Sequence, residues 1–146
     1  MRFKTSRFGM LDVDTDGMIL FPDGLVGHPG HRHFVLLSEA NNPAVGWLQS
    51  LSDAEFALAV VTPHRFVDKY ALRVHRSQLA SLPWAPSDRS VVLAIVSKNN
   101  GVLSLNLKAP LVINLDRCLG RQVVTADDQP VQHVLSDQPA LLRKIA

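Results

Sequence analysis

The chain has 146 residues, of which 47% are hydrophobic and 19% are charged, so it is long and apolar enough for one domain with a buried core. This composition excludes a protein that is disordered throughout. A net charge of +2, with scattered basic residues, excludes a strongly basic nucleic-acid-binding domain. The single cysteine, Cys118, excludes an intrachain disulfide. No apolar run reaches the roughly 20 residues of a membrane span or resembles a signal peptide, so we expect a cytoplasmic protein without membrane contact.

Strand signals dominate the chain. Residues 90–97 read SVVLAIVS, a β-branched apolar run that is typical of a strand buried on both faces. Residues 102–108 alternate leucine with Ser, Asn and Lys, which is typical of a strand with one buried face. We expect strands at residues 33–37, 47–50, 57–61, 90–97, 102–108, 111–115 and 122–125.

Turn and helix signals separate these strands. The sequence Asn99-Asn100-Gly101 predicts a hairpin turn, and Pro110, which has no N–H to donate, predicts an edge, a bulge or a sharp bend. Short helices are predicted at residues 77–82 and in the tail after Ser136. Many short strands without a β-α-β rhythm predict a mainly β fold, namely a small β-barrel-like single domain with one or two short helices.

An acidic turn resembles the start of a calcium-binding loop. Asp12, Asp14 and Asp16 stand at alternate positions, Gly17 follows, and Asp23 occupies the twelfth place. That place normally holds a glutamate, and the helices that flank such a loop are absent from the pattern. We therefore interpret the segment as a hairpin turn with solvated carboxylates, and calcium binding stays open as the alternative.

Three histidines, His28, His31 and His33, stand close together in the stretch GHPGHRH. Imidazoles at this spacing suit zinc or nickel, but the stretch contains no Cys, Asp or Glu to complete a four-ligand site. We favour solvated histidines on a loop and expect no metal, with a metal-dependent protein as an alternative.

The sequence contains no recognisable catalytic pattern. It has no G-x-S-x-G motif and no phosphate-binding glycine loop, and Cys118 stands outside any known nucleophile signature. We therefore predict that the chain is not an enzyme and uses neither a cofactor nor a small-molecule substrate.

A basic stretch from His64 to Arg76 leaves RNA binding as a further alternative. RNA readers usually add aromatic side chains that stack on bases, and only Phe66 and Tyr70 are available in this stretch. A solvated basic face with its aromatic pair packed inward is the favoured interpretation, so we expect no direct contact with nucleic acid.

The remaining motifs together resemble a known family. The tetrapeptide W-L-Q-S at residues 47–50 and the segment N-L-x-A-P-x-x-x-N at residues 106–114 are the most specific of them. In this order and spacing, the motifs resemble the FliW family of bacterial flagellar assembly factors from about Phe3 to His133. The others are Arg7-Phe8-Gly9, F-P-x-G-L-x-G at residues 21–27, F-V-L-L at residues 34–37, Tyr70, and G-x-Q-V-V at residues 120–124.

The resemblance implies one FliW-like domain over residues 1–146. The tail 135–146 matches no part of the family pattern and is unassigned, and its own residues predict a short helix. It implies a protein that binds flagellin and, in alternation, binds and antagonises the translational repressor CsrA. We expect the chain to be a monomer. Typical members are acidic, whereas this chain has a net charge of +2. The predicted partner-binding residues are Asn106, Lys108, Ala109, Pro110, Asn114 and Tyr70.

Two of these residues have an alternative role. Asn106 and Asn114 flank the bend predicted at Pro110, and a side-chain amide at such a break can satisfy main-chain groups that the sheet leaves unpaired. Contact with a partner and support of the bend are both open for them.

Overall fold

The structure, a computed structural model, describes residues 1–39 and 42–135. Its first unit is an N-terminal hairpin of β1 (Arg2–Thr5) and β2 (Gly9–Asp12). Thr5 closes the turn, because its Oγ1 donates to the Gly9 carbonyl at 2.7 Å and accepts from the Phe8 N–H at 2.9 Å. The helix expected in the tail falls on residues 136–146, outside the described residues.

Seven further strands form a closed barrel. Neighbours from β3 to β8 pair antiparallel, and β9 closes the ring by pairing antiparallel with β8 and parallel with β3. A short strand, β10 (His133–Val134), adds to the first half of β8. The mainly β, barrel-like fold is therefore confirmed. The ring strands are β3 (Met18–Leu20), β4 (His33–Glu39), β5 (Asn42–Ser50), β6 (Ala57–Val61), β7 (Ser90–Asn99), β8 (Val102–Asn114) and β9 (Leu119–Gln122).

The barrel interior is filled by apolar side chains of the strands, together with Phe21 and Leu25 from the segment between β3 and β4. Phe21 and Phe34 are fully buried, and their rings meet edge to face with centroids 5.3 Å apart. Gly120 on β9 leaves room for this pair, because a Cβ there would lie 2.5 Å from the Phe21 ring. The interior cluster comprises Ile19, Phe21, Leu25, Phe34, Leu48, Val60, Leu93, Leu111 and Ile113.

A second apolar cluster lies on the outer face of the barrel. Trp47 belongs to it and is 4% exposed, whereas its neighbour Leu48 belongs to the interior cluster. The segment between β6 and β7, residues 62–89, crosses this face and contributes Tyr70; we call it the strap. Because the strap covers the outside, the strands beneath it bury both faces. This explains why residues 90–97 are apolar without alternation.

The helical content is limited to 3₁₀ turns at η1 (Thr15–Gly17), η2 (Pro63–Arg65) and η3 (Arg76–Leu79). The helix expected at residues 77–82 is the last of these, which ends at Leu79. Gln78 ties this turn to the barrel, since its side chain donates to the Val124 carbonyl and accepts from the Val124 N–H, each at 2.7 Å. None of the helices in the described ranges has the length and apolar character needed to cross a membrane.

Most differences from the predicted strands arise at short elements. The expected strands 102–108 and 111–115 form one continuous strand, β8, and the strand expected at 122–125 lies at Leu119–Gln122. β1, β2, β3 and β10 were not predicted, because each has four residues or fewer and shows no readable period.

The pairing of β7 with β8 is interrupted at Pro110. Between the pairs Leu93–Leu111 and Ile95–Asn106, the single residue Ala94 stands opposite the four residues from Leu107 to Pro110. The bulge that Pro110 predicted is therefore confirmed.

Candidate partner-binding surface

Five of the six predicted partner-binding residues meet at the bend of β8, which we define as residues 106–110. The Asn106 Oδ1 accepts hydrogen bonds from the N–H groups of Lys108 at 3.2 Å and Ala109 at 2.9 Å. This local turn replaces the ladder bonds lost where the register of β7 and β8 shifts. Pro110 has no N–H to leave unpaired, and its carbonyl accepts from Val123 N at 3.0 Å. Asn106 therefore has the backbone-satisfying role, and any partner contact adds to that role.

Tyr70 holds the strap against this bend. Its side chain is 4% exposed, and its hydroxyl donates to the Leu107 carbonyl at 2.8 Å. Burial, and to a smaller extent the nearby Asp127 carboxylate, raises the pKa of the Tyr70 phenol. The hydroxyl therefore keeps its proton at neutral pH and stays a donor. Tyr70 therefore anchors the bend from the outer face of the barrel, on the buried side of the strap.

The accessible part of the bend is made by Asn106, Lys108 and Ala109, whose side chains are half-buried. The Lys108 Nζ donates to the Asp127 carbonyl at 2.8 Å, and the Gln122 Nε2 donates to the Ala109 carbonyl at 3.0 Å. These bonds hold the surrounding chain in place, so the bend presents a preorganised surface. Pro110 is buried and, like Tyr70, serves as support.

Asn114 does not lie at the bend. It is fully buried at the far end of β8, where its Nδ2 donates to the Pro83 carbonyl at 3.1 Å and to Asp88 Oδ2 at 2.9 Å. Its Oδ1 accepts from the N–H groups of Asp116 and Arg117, both at 3.1 Å. Asn114 thus joins the end of the strap to the turn after β8, and its amide is fully used inside the protein.

The Asp88 carboxylate, beside Asn114, makes the stability of the protein vary with pH in the acid range. Hydrogen bonds from the Asn114 side chain, the Ala85 N–H and the Arg117 side chain lower the pKa of Asp88 to about 2. Because this pKa is depressed in the folded state, the stabilisation is present above pH 4 and is lost as the pH falls through about 2. We expect the thermal midpoint to fall across this window, and to fall less steeply in Asp88→Asn. Asp14→Asn is the control, because Asp14 is an exposed carboxylate in the acidic turn. The assignment would be contradicted if the thermal midpoint of Asp88→Asn fell with pH as steeply as that of the wild type.

The basic stretch from His64 to Arg76 forms the first half of the strap. Its basic side chains are exposed, and Arg73 lies 3.7 Å from Asp127. Its two aromatic residues point inward, since Tyr70 is buried and Phe66 packs on the outer cluster. The stretch therefore offers neither of these two rings for base stacking, which disfavours the RNA alternative.

The His28 and His31 rings meet with centroids 5.7 Å apart, but His33 does not join them. His31 stacks on Phe56 with ring centroids 4.3 Å apart, and His28 meets the same ring edge-on at 4.8 Å. His33 instead lines a separate groove beside Phe3 and Met18. Within residues 1–39 and 42–135, no group of three or more His, Cys, Asp or Glu side chains is placed to hold a metal ion. The geometry thus gives the metal alternative no support.

The carboxylates Asp12, Asp14 and Asp16 are exposed as expected, but the acidic turn does not close a hairpin, and that part of the interpretation was wrong. β2 pairs with β1, whereas β3 pairs with β4 and β9, so the turn crosses from the N-terminal hairpin to the barrel. Asp23 lies away from the turn, where its Oδ2 accepts from Ser81 Oγ at 2.8 Å and lies 3.6 Å from Arg121 Nε. The carboxylates of the calcium-like pattern therefore do not share one site.

One contact between two of the sequence motifs was not predicted. The N-terminal hairpin folds over β5, so that the Arg7 guanidinium carbon lies 4.1 Å from the centroid of the Trp47 ring. Phe8 meets the same ring edge-on at 6.0 Å. Both motifs were visible in the sequence, but nothing local indicates that the hairpin reaches this strand.

Comparisons with known proteins agree with these motifs. The family model described as FliW protein matches residues 2–135. The chain is 36% identical over 126 residues to flagellar assembly factor FliW of Heliobacterium modesticaldum, covering 85% of this chain and 82% of the relative. For the protein of the same name from Geobacter sulfurreducens, the identity is 31% over 143 residues, covering 96% and 89%. A crystal structure of the flagellar assembly factor FliW has a TM-score of 0.84 at 21% identity, covers 92% of this chain and 96% of its own, and shows the same fold. The chain therefore belongs to the FliW family.

Proposed function

We propose that this protein is a cytoplasmic flagellar assembly factor that acts by binding other proteins, namely flagellin and the translational repressor CsrA. The observation that carries the proposal is the FliW match, which runs from residue 2 to residue 135. In this proposal, flagellin and CsrA alternate on the protein, so that flagellin released by export leaves it free to antagonise CsrA. The protein performs no catalysis and needs neither a cofactor nor a small-molecule substrate.

We place one partner contact at the bend of β8. The bend combines half-buried polar side chains with a main chain held by internal hydrogen bonds, so little ordering is needed on binding. Two exposed valines are chain neighbours of residues bonded to the bend. Val124, which is 44% exposed, precedes Thr125, whose N–H donates to the Lys108 carbonyl. Val131, which is 60% exposed, follows Pro130, whose carbonyl accepts from the Leu107 N–H. Apolar side chains beside fixed polar groups are typical of a protein interface. In this arrangement Asn106, Lys108 and Ala109 contact the partner, while Tyr70 and Pro110 support them.

Asn114 contributes to this surface only indirectly. It fixes the end of β8 by using both ends of its amide within the protein. We therefore assign it a supporting role, in which it holds in place β8, the strand that carries the bend.

The acidic turn offers a second contact, suited to a basic partner. Asp12, Asp14 and Asp16 are exposed, and they form a local negative pole on a chain whose net charge is +2. Such a pole attracts a basic RNA-binding protein even when the whole chain is weakly positive. It takes the place of the overall acidic charge typical of the family.

Substituting Lys108 by glutamate tests the bend directly. We expect Lys108→Glu to weaken binding of at least one of the two partners by about tenfold or more, because it reverses a charge at the centre of the proposed contact. The readout is the dissociation constant of each complex, measured by biolayer interferometry with flagellin and with CsrA of the same organism.

The matched control for this experiment is Lys4→Glu, which makes the same charge change on β1 of the hairpin. We expect it to leave both dissociation constants within about twofold of wild type. Thermal unfolding of both variants shows whether either change has damaged the fold. If Lys108→Glu binds both partners as wild type does, the bend is not the contact.

A further inference from the structure

An apolar groove of about 270 Å³ lies between the N-terminal hairpin and the barrel strands β3 and β4. Met1, which is 73% exposed, forms part of its hairpin wall. The barrel wall includes the loop after β5, which is held against β4 because the Leu51 N–H donates to the His33 carbonyl at 2.8 Å. Open apolar surface of this kind is favourable to bury against a partner. The lining residues are Met1, Phe3, Met18, His33, Leu51 and Ser52, and none of them belongs to the bend.

The alternation of side chains along the strands turns apolar groups towards the groove and basic groups away from it. On β1, Arg2 and Lys4 alternate with Phe3, so their side chains leave the hairpin on its other face. On β3, Ile19 belongs to the interior cluster, so its neighbour Met18 points out of the barrel and into the groove. Among the described residues, the lining of the groove includes neither lysine nor arginine.

The acidic turn connects the two walls of the groove and carries unpaired negative charge. Asp12 lies beside the hairpin wall, with its Oδ1 3.5 Å from the Met1 ammonium nitrogen, and Asp16 lies two residues before Met18. Asp14 and Asp16 are exposed, and neither takes part in an ion pair within residues 1–39 and 42–135. The side chains of the turn carry charge of a single sign, so they attract a cationic ligand and repel an anionic one.

The groove and the turn together define the chemistry of a ligand. A purely apolar group would fill the groove and leave the carboxylates unpaired. A bare cation would meet the carboxylates and leave the apolar surface in water. A segment that carries an apolar side chain next to basic side chains satisfies both features, and apolar contact flanked by complementary charge is the usual composition of a protein interface.

We propose that this groove binds a protein segment in which one large apolar side chain stands between basic residues. The apolar side chain packs between Phe3 and Met18, and the basic side chains pair with Asp14 and Asp16. The groove is slightly smaller than the roughly 300–1,000 Å³ of drug-sized ligand sites, which suits a single side chain. The proposal rests on the proposed function in one respect, since it adds an apolar anchor to the contact assigned to the acidic turn.

The three methionines of the chain provide the readout, because two of them line the groove and one does not. Met1 and Met18 face the groove, whereas Met10 is 52% exposed and pairs with Lys4 on the outer face of the hairpin. Protein labelled with ¹³C at the methionine methyl groups is titrated with acetyl-Lys-Phe-Lys-amide up to millimolar concentration. We expect the phenylalanine ring to shift the NMR signals of Met1 and Met18 and to leave that of Met10 in place.

Two further peptides separate the apolar contact from the charged one. Acetyl-Glu-Phe-Glu-amide keeps the apolar side chain and reverses the charges, so repulsion by the acidic turn should weaken its binding about tenfold or more. Acetyl-Lys-Ser-Lys-amide keeps the charges and lacks the anchor, and it should also bind about tenfold more weakly, because it buries little apolar surface.

A pair of double variants tests the role of the carboxylates. Asp14→Asn combined with Asp16→Asn should remove the preference for the lysine peptide over the glutamate peptide. Asp68→Asn combined with Asp128→Asn makes the same charge change at two exposed carboxylates outside the acidic turn and should keep the preference. Thermal unfolding reports whether each protein is folded.

A second pair of variants tests the groove wall. Met18→Lys places a cation in the groove and should weaken binding of the lysine peptide about tenfold, as followed by the Met1 signal. Met10→Lys makes the same change on the outer face of the hairpin and should leave the affinity within about twofold of wild type.

Three results would overturn the proposal: no shift of the Met1 and Met18 signals at millimolar lysine peptide, equal binding of the lysine and glutamate peptides, or an unchanged preference when Asp14 and Asp16 are both replaced. If the peptides fail while CsrA still binds in calorimetry, the groove is wrong and the proposed function stands. If the lysine peptide binds as expected while flagellin and CsrA both give flat titrations, the groove stands and the proposed function is wrong.

Discussion

Substituting Phe34 by alanine is expected to lower the free energy of unfolding by about 3–5 kcal/mol. Phe34 is fully buried in the barrel interior, where its ring meets Phe21 at 5.3 Å and Phe56 at 6.3 Å. A closed barrel has little freedom to collapse around the space that the ring leaves, because its strands are paired on both sides. A loss of this size is a large share of the 5–15 kcal/mol typical of a folded domain.

Urea denaturation followed by circular dichroism measures this loss. Val102→Ala is the control, since Val102 is 48% exposed at the start of β8 and its truncation should cost well under 1 kcal/mol. A loss for Phe34→Ala no greater than that of Val102→Ala would contradict the placement of Phe34 at the centre of the barrel.

Substituting Asn114 by alanine is expected to lower the free energy of unfolding by about 2–4 kcal/mol. The change removes the partners of the Asp116 and Arg117 N–H groups and of the Pro83 carbonyl, and it takes one donor from Asp88. Asn114 is fully buried, so water does not readily replace these bonds. The cost is therefore that of polar groups left unpaired inside the protein.

Asn106→Ala is the matched control, because it removes an amide that also accepts two main-chain hydrogen bonds on the same strand. Asn106 is half-buried, so its freed N–H groups can reach water, and we expect a loss of about 1 kcal/mol. Equal losses for the two variants in urea denaturation would contradict the difference in burial on which the prediction depends.

The fold was predictable wherever a strand was long enough to show its period. Residues 57–61 were predicted with the observed bounds, because an apolar run there lies between turn residues. The closure of the barrel had no local signal, since β3 and β9 meet at a single pair, Leu20 with Leu119, from distant parts of the chain. The strap was also unpredictable, because its irregular path follows the barrel surface and not a repeating pattern.

The candidate site was predictable in composition but not in arrangement. A proline between two strand-like segments required a bend, and Asn106 was correctly considered as a residue that satisfies the main chain there. That Asn114 lies elsewhere depends on the loop containing Pro83 and Asp88, which only tertiary structure brings to it. The stacking of Arg7 on Trp47 likewise depends on how the hairpin folds over the barrel.

Sequential calorimetry tests whether this member of the FliW family is a switch between two protein partners, as we propose. Flagellin and CsrA of the same organism are each titrated into the purified protein, and CsrA is then titrated into the preformed flagellin complex. For such a switch, we expect each partner alone to bind at micromolar affinity or tighter, and most of the CsrA heat to be lost once flagellin is bound. Flat titrations with both partners, or full and independent binding of both at once, would contradict it.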